Sequence, residues 1–308
     1  MKKVLFVRQF HALTGGHLKH ADYISHTQAD PRFAPVLHVT EDSDKTALEA
    51  LLPPNLSRTS LPCETDILFL AGMDWAIADK AGQSTKTTPV INFIQGMRHA
   101  DPAVPLYSFL SRPALRICVS PEVTEALVAS GQVHGPIVTI ENGIDLDQLS
   151  SLSKQSRNGR VLVIGLKDKA LAQGISDHLE RLHIPHDILV AKMPRAAYLA
   201  LVSHYDVVVC IPLKEEGFYL PPLEAMAMQV SVVVPDCIGN RSFCRDGETC
   251  LVPKREARAL AEAAANLLSD PRKGTHMRAQ ALRKSQQHGL AQERHKYHAA
   301  LSQHLHAL

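Results

Sequence analysis

Short runs of apolar residues recur along the chain, spaced widely enough to leave a helix between them. In the first half they are Val4–Val7, Val36–Val39, Ile67–Leu70, Val90–Ile94, Leu115–Val119 and Ile137–Ile140. Continuous apolar runs bounded by Pro, Gly and Asp predict strands buried on both faces. Ser120-Pro121-Glu122 predicts a helix start, with Ser as cap, Pro in the first turn and Glu against the dipole. Strand alternating with helix predicts a parallel sheet with right-handed crossovers. Residues 145–159 are polar and Ser-rich, and read as a linker. A second series follows: Val161–Ile164, Ile188–Val190, Val207–Ile211 and Val230–Val234, with a helix at Ala196–Ser203. The chain closes in helices, with a start at Asp270-Pro271 and a break at Gly289. The expectation is two open α/β domains, residues 1–150 and 151–308, with ligands at the carboxyl ends of the strands and a site in the cleft between them.

Composition narrows the function. Of 308 residues, 45% are apolar and 21% charged, which excludes a disordered, collagenous or coiled-coil chain. A net charge of +2 and 5% aromatics give no drive toward nucleic acid. The segment from Lys254 onward carries +6 and leaves −4 on the rest. Such a segment suits either a solvated helix face or peripheral contact with an anionic membrane. No run approaches the ~20 apolar residues of a spanning helix. Met1-Lys2-Lys3 leads into a first strand rather than a signal segment. The six cysteines form no C-x-x-C pair, and Cys237, Cys244 and Cys250 fit neither a zinc knuckle nor a redox pair. A reducing, cytoplasmic setting is expected.

The most informative stretch runs from Glu215 to Ala227. Gly217 permits close approach of backbone to ligand, and Pro221 and Pro222 suit the first turn of a helix. Glu224 is expected in that first turn, where exposed N–H groups make an anion site. Glu216 and Glu224, eight residues apart, are placed to face one cleft, where carboxylates accept sugar hydroxyls.

This stretch, Glu216-Gly217-Phe218 followed by Leu223-Glu224-Ala225-Met226-Ala227, resembles the Glu-x7-Glu donor-site signature of retaining GT-B glycosyltransferases. The loop Pro235–Arg241, the segment Asp246–Val252, Asn142-Gly143-Ile144-Asp145 and Thr14-Gly15-Gly16 fit the same family in the right order. The resemblance implies two Rossmann-like domains facing a cleft. The first would be the acceptor side and the second the nucleotide-sugar side, with C-terminal helices able to cross back to the first domain. It implies that Glu224 bonds the donor ribose and that Glu216 lies beside the transferred sugar. Gly217 and Phe218 would hold donor oxygens, and Asn240 belongs to the same donor loop.

The departing diphosphate needs positive charge. The family's usual Arg-then-Lys pair is absent from Gly165-Leu166-Lys167-Asp168-Lys169, so Lys167 is the first choice and Lys169 the second. Gly15 and Gly16 form the first strand-to-helix turn and would face donor phosphate or acceptor. His17 there is an ordinary surface histidine in the simplest reading. His99, after the strand Val90–Ile94, is the candidate for the family's histidine near the reacting sugar, and Arg98 could meet a charged acceptor. Asp42-Ser43-Asp44 and Asp145-Leu146-Asp147 read D-x-D, but the two-domain layout argues against a metal-bound diphosphate, and no metal or other cofactor is expected. His17 with His20 and His295 with His298 lack further ligands for zinc. Absence of G-x-G-x-x-G weakens a nicotinamide cofactor. The expected activity is sugar transfer from a nucleoside-diphosphate sugar to a glycan or lipid-linked acceptor with retention. A nucleotide-sugar epimerase and a non-catalytic nucleotide-sugar or glycan-binding scaffold are the alternatives.

Overall fold

The computed structural model describes residues 1–304 apart from 11–13, 45, 47, 49, 50, 54, 154 and 155. It divides into two compact units, Met1–Asn142 with Ala291–Leu308, and Gly143–Leu290.

In the first unit seven parallel strands are ordered β3-β2-β1-β4-β5-β6-β7. They are β1 (Lys2–Arg8), β2 (Phe33–Val39), β3 (Ser57–Arg58), β4 (Ile67–Ala71), β5 (Val90–Ile94), β6 (Leu115–Cys118) and β7 (Ile137–Thr139). Six of the seven coincide with the apolar runs. The exception, β3, is two exposed residues, Ser and Arg, which carry no apolar signal. Leu5, Val7, Leu68, Leu70, Trp75, Ala78 and Val90 form a core cluster on one face. The strand order reverses between β1 and β4, which puts a crevice at their carboxyl ends. Helix α1 (Gly15–Gln28) follows β1, α2 (Asp74–Lys80) follows β4, and α3 (Pro121–Ala129) follows β6. Ser120 caps α3 as expected, accepting from the Val123 N–H at 3.3 Å.

The second unit has four parallel strands ordered β11-β10-β8-β9. They are β8 (Val161–Ile164), β9 (His186–Leu189), β10 (Val207–Cys210) and β11 (Ser231–Val233). Here the reversal falls between β8 and β10. Val161, Val163, Val207 and Val209 pack against Ala172, Ile175, Leu179, Leu260 and Ala264, all buried. The helices are α4 (Leu146–Leu152), α5 (Lys169–Arg181), α6 (Arg195–Ser203), α7 (Leu220–Ala227), α8 (Ala257–Ser269) and α9 (Pro271–Ser285).

The stretch predicted as a linker holds α4 instead. Asp145 caps it by accepting from the Gln148 N–H at 3.0 Å, so the D-x-D read there is a helix start. The other D-x-D is equally local: Asp42 accepts from Gln9 and Asp44 from the Thr46 N–H. Gly143 is required for packing, since a Cβ there would lie 2.8 Å from the Gly289 carbonyl oxygen.

The last helix, α10 (Leu290–His304), buries Glu293, Tyr297, Ala300 and Leu301. Its residues from Ala291 onward belong to the first unit. Lys19 of α1 donates to Glu293 at 2.6 Å and to Asp22 at 2.7 Å, and His26 meets the same Glu293 oxygen at 2.9 Å. Tyr297 completes the contact, edge-on to Tyr23 and hydrogen-bonded to Thr27 at 3.0 Å. The basic C-terminal segment thus contributes a buried acid to the fold, which its net charge conceals. Among the described residues no helix is long and apolar enough to cross a membrane.

Candidate functional site

At the carboxyl ends of β8, β9 and β10 four charged side chains form two ion pairs. Lys167, just past β8, donates to Glu216, which lies in the loop after β10. Arg195, the first residue of α6 after β9, donates to Glu224 of α7. Tyr219 lies beside the first pair and Tyr198 beside the second. The Lys167 ammonium sits 5.7 Å from the Tyr219 ring centroid. Burial, then Cys210, Tyr198 and Glu216, raises the Tyr219 phenol well above its ordinary value.

Glu224 is 1% exposed, and its Oε2 is buried without a hydrogen-bond partner among the described residues. The neighbouring Tyr198 hydroxyl is in the same condition. Burial and then Glu224 raise that phenol well above its ordinary range. A buried carboxylate oxygen with nothing to accept from is costly, and the cost is recovered when a ligand supplies a donor.

Two expectations for this segment change. Helix α7 begins at Leu220, so Glu224 is its fifth residue and lies beyond the first turn. Pro221 and Pro222 have no N–H, and they remove two of the first four donors that a helix N-terminus would aim at an anion. The loop before α7 is held from behind. A Cβ on Gly239 would meet Glu216 O and Phe218 N at 2.6 Å, and Tyr219 N donates to Gly239 O at 2.9 Å. Gly217 and Phe218 are buried in this loop, and Phe218 packs against Phe243 and His288. Asn240 is also buried, but its amide is used inside its own turn, to Cys237 N at 3.3 Å and Pro235 O at 3.2 Å. In this way it shapes the loop.

Of the two candidate lysines, Lys167 joins the cluster. Lys169 opens α5 as an exposed residue. Between them Asp168 caps α5 through Leu171 N and binds Arg255 at 2.9 Å. The Leu171 N–H and Arg255 hold its carboxyl below its ordinary value. Arg195 was not found from sequence. Its only signal was a basic residue after Pro194 at a helix start, a common arrangement.

The remaining candidates lie in the first unit. Gly15 and Gly16 open α1, and Gln95 donates to Gly16 O at 3.3 Å. A Cβ on Gly16 would lie 2.6 Å from Gln95 Oε1, so a larger residue there would displace the end of the Gln95 side chain. His17 is buried rather than on the surface, bonded to Thr14 Oγ1 at 3.0 Å and Gln9 O at 3.2 Å. His20 is fully buried, edge-on to Phe6 and Phe69. Among the described residues no group of three His, Cys, Asp or Glu could hold a metal ion.

His99 is buried in the turn Met97–Ala100, while Arg98 is exposed. Burial, then Arg116 and Arg98, pushes the His99 imidazole down to about 4. Arg116 was hidden inside an apolar run. It is fully buried and donates to the Phe109, Leu110 and Arg112 carbonyls. At neutral pH His99 is therefore uncharged, able to donate or accept but not to act as a fixed cation. Between about 4 and 6.5 the unfolded chain binds a proton that the folded chain refuses, so stability rises with pH there. The His99 contribution is complete above pH 6.5 and is lost as pH falls toward 4, on the order of 3 kcal/mol. Asp74, raised to about 6 by burial against the pull of Arg8, titrates in the opposite sense. The test is therefore His99→Gln against wild type. In urea unfolding from pH 7 to 4 the variant is expected to lose less stability than wild type, and parallel curves would contradict a buried neutral imidazole.

This geometry can be set beside known proteins. Residues 143–270 match the family of glycosyl transferases group 1. That match falls on the unit holding both ion pairs. No curated protein is similar enough to this chain to match it. Among solved structures, Anabaena HepE in complex with UDP and glucose aligns at a TM-score of 0.74 and 16% identity, covering 98% of this chain and 100% of its own. A glycosyltransferase from Rickettsia africae aligns at 0.73 and 12%, covering 98% of each chain. Sucrose-phosphate synthase from Thermosynechococcus elongatus aligns at 0.70 and 12%, covering 98% of this chain and 99% of its own. These identities establish the α/β fold with parallel sheets, as in GT-B glycosyltransferases.

Proposed function

We propose that the protein transfers a sugar from a nucleoside-diphosphate sugar, with retention of configuration, and that its donor site is the cluster Lys167, Glu216, Arg195 and Glu224. The observation that carries this reading is the buried, half-satisfied Glu224 carboxylate at the same end of the sheet as the Lys167–Glu216 pair. An orphaned carboxylate oxygen at the carboxyl end of a parallel sheet suits the vicinal hydroxyls of a ribose. Glu216, 15% exposed and paired with Lys167, suits the hydroxyls of the transferred sugar. Lys167 supplies positive charge to the departing diphosphate. In this reading the protein contributes position and electrostatic stabilisation, and no side chain forms a covalent intermediate. Front-face attack, with the donor's phosphate receiving the acceptor proton, accounts for retention. Uridine is the proposed base, because HepE was solved with UDP and with UDP-glucose.

The test is incubation of the protein with a panel of nucleoside-diphosphate sugars, with and without oligosaccharide acceptors, followed by detection of released nucleoside diphosphate. Release from a uridine donor, with the product's anomeric configuration unchanged by NMR, is expected. An inverted product would contradict retention, and release from no donor would contradict transfer.

A further inference from the structure

We propose that Arg195 is the second cation of the diphosphate site, held on Glu224 until a donor arrives. The inference rests on the nucleotide-sugar reading above. A leaving diphosphate carries more negative charge than one lysine can offset. The other ready source, the N-terminus of α7, is depleted of N–H groups by Pro221 and Pro222. Arg255 is committed to Asp168 and to Pro212 O.

Arg195 has the required properties. Its side chain is 30% exposed and sits at the mouth of a carboxylate that is itself 1% exposed. A ribose reaching Glu224 therefore meets the guanidinium first. As the ribose hydroxyls replace Arg195 on Glu224, the guanidinium gives up that carboxylate and can turn to the donor's phosphate. The α-phosphate is joined to the ribose through one methylene and one ester oxygen, so it arrives within reach of the same side chain. The exchange is balanced: the carboxylate passes from guanidinium to hydroxyls, and the guanidinium passes from carboxylate to phosphate. A planar fork also suits two phosphate oxygens. Lys167 on Glu216 undergoes the same exchange one phosphate further along. In the absence of donor each cation is parked on the acid it will leave.

The experiment is calorimetric titration of uridine and UDP into wild type, R195Q, R195K and E224Q. Wild type is expected to bind UDP more tightly than uridine. In R195Q that preference should fall at least tenfold, with uridine affinity changed less than threefold. R195K keeps a charge on Glu224 and hence the fold, and its preference should lie between the two. E224Q should weaken uridine and UDP in parallel and leave the preference intact. Equal losses of uridine and UDP in R195Q would show that Arg195 acts only by holding Glu224, and would overturn the proposal. An unchanged preference in both R195Q and R195K would do the same. Failure of wild type to bind UDP at all would remove the donor reading itself, a result distinct from either.

Discussion

Glu293→Leu is expected to lower stability by about 3–5 kcal/mol in urea unfolding at pH 7. The Glu293 side chain is fully buried, and Lys19 is 1% exposed. Removing the acid takes from Lys19 its fully buried carboxylate and from His26 its carboxylate partner. Burial by itself would raise the Glu293 carboxyl, but Lys19 and His26 outweigh it and hold the group below its ordinary value. Burial would likewise lower Lys19, and Glu293 with Asp22 outweigh it. The contribution is therefore present above pH 4.5 and below pH 10.5, and is lost beyond either end. Lys19→Met combined with Glu293→Leu is expected to recover most of the loss, because two apolar side chains replace a desolvated pair. If the two changes add instead, the cluster is not acting as a unit.

Glu216→Ala is expected to lower turnover by about 10²–10³-fold with a smaller change in donor KM. The substitution removes the carboxylate proposed to hold the transferred sugar and also frees Lys167 from its anchor. Lys167→Ala is expected to fall in the same range, and the double variant little further, since each side chain positions the other. Single-turnover release of UDP measures both. A Glu216→Ala enzyme within threefold of wild type would place the chemistry elsewhere.

Much of the fold was legible because its strands are buried on both faces. Val4–Val7 and Val207–Cys210 read as unbroken apolar runs, and their burial makes them so. Helix starts were legible where a side chain does the capping, as at Ser120 and Asp270. The reading failed where polarity served structure. Asp145 and the serines after it looked like a linker, yet Asp145 caps a helix. Arg116 is a charge spent on three carbonyls inside the sheet. Glu293 is an acid hidden in a basic segment. In the candidate site, Glu216 and Glu224 stood out by their spacing and by the glycine and prolines around them, and Lys167 by the family resemblance alone. Arg195 did not, because its role depends on β9 ending beside β8, and strand order is not written in any local pattern. Asn240 shows a related limit: sequence places a residue in a loop but does not show that its amide also braces that loop.

The central claim is that Glu224 is the ribose acid of a nucleoside-diphosphate site. It is tested most directly by UDP in a thermal-shift measurement on wild type and Glu224→Ala. A ligand at 100 times its dissociation constant adds about 2.7 kcal/mol of stability. For a chain of this size that moves the midpoint by about 4 °C. The account predicts this shift in wild type at a UDP concentration where Glu224→Ala shows none. Equal shifts in the two proteins would contradict it.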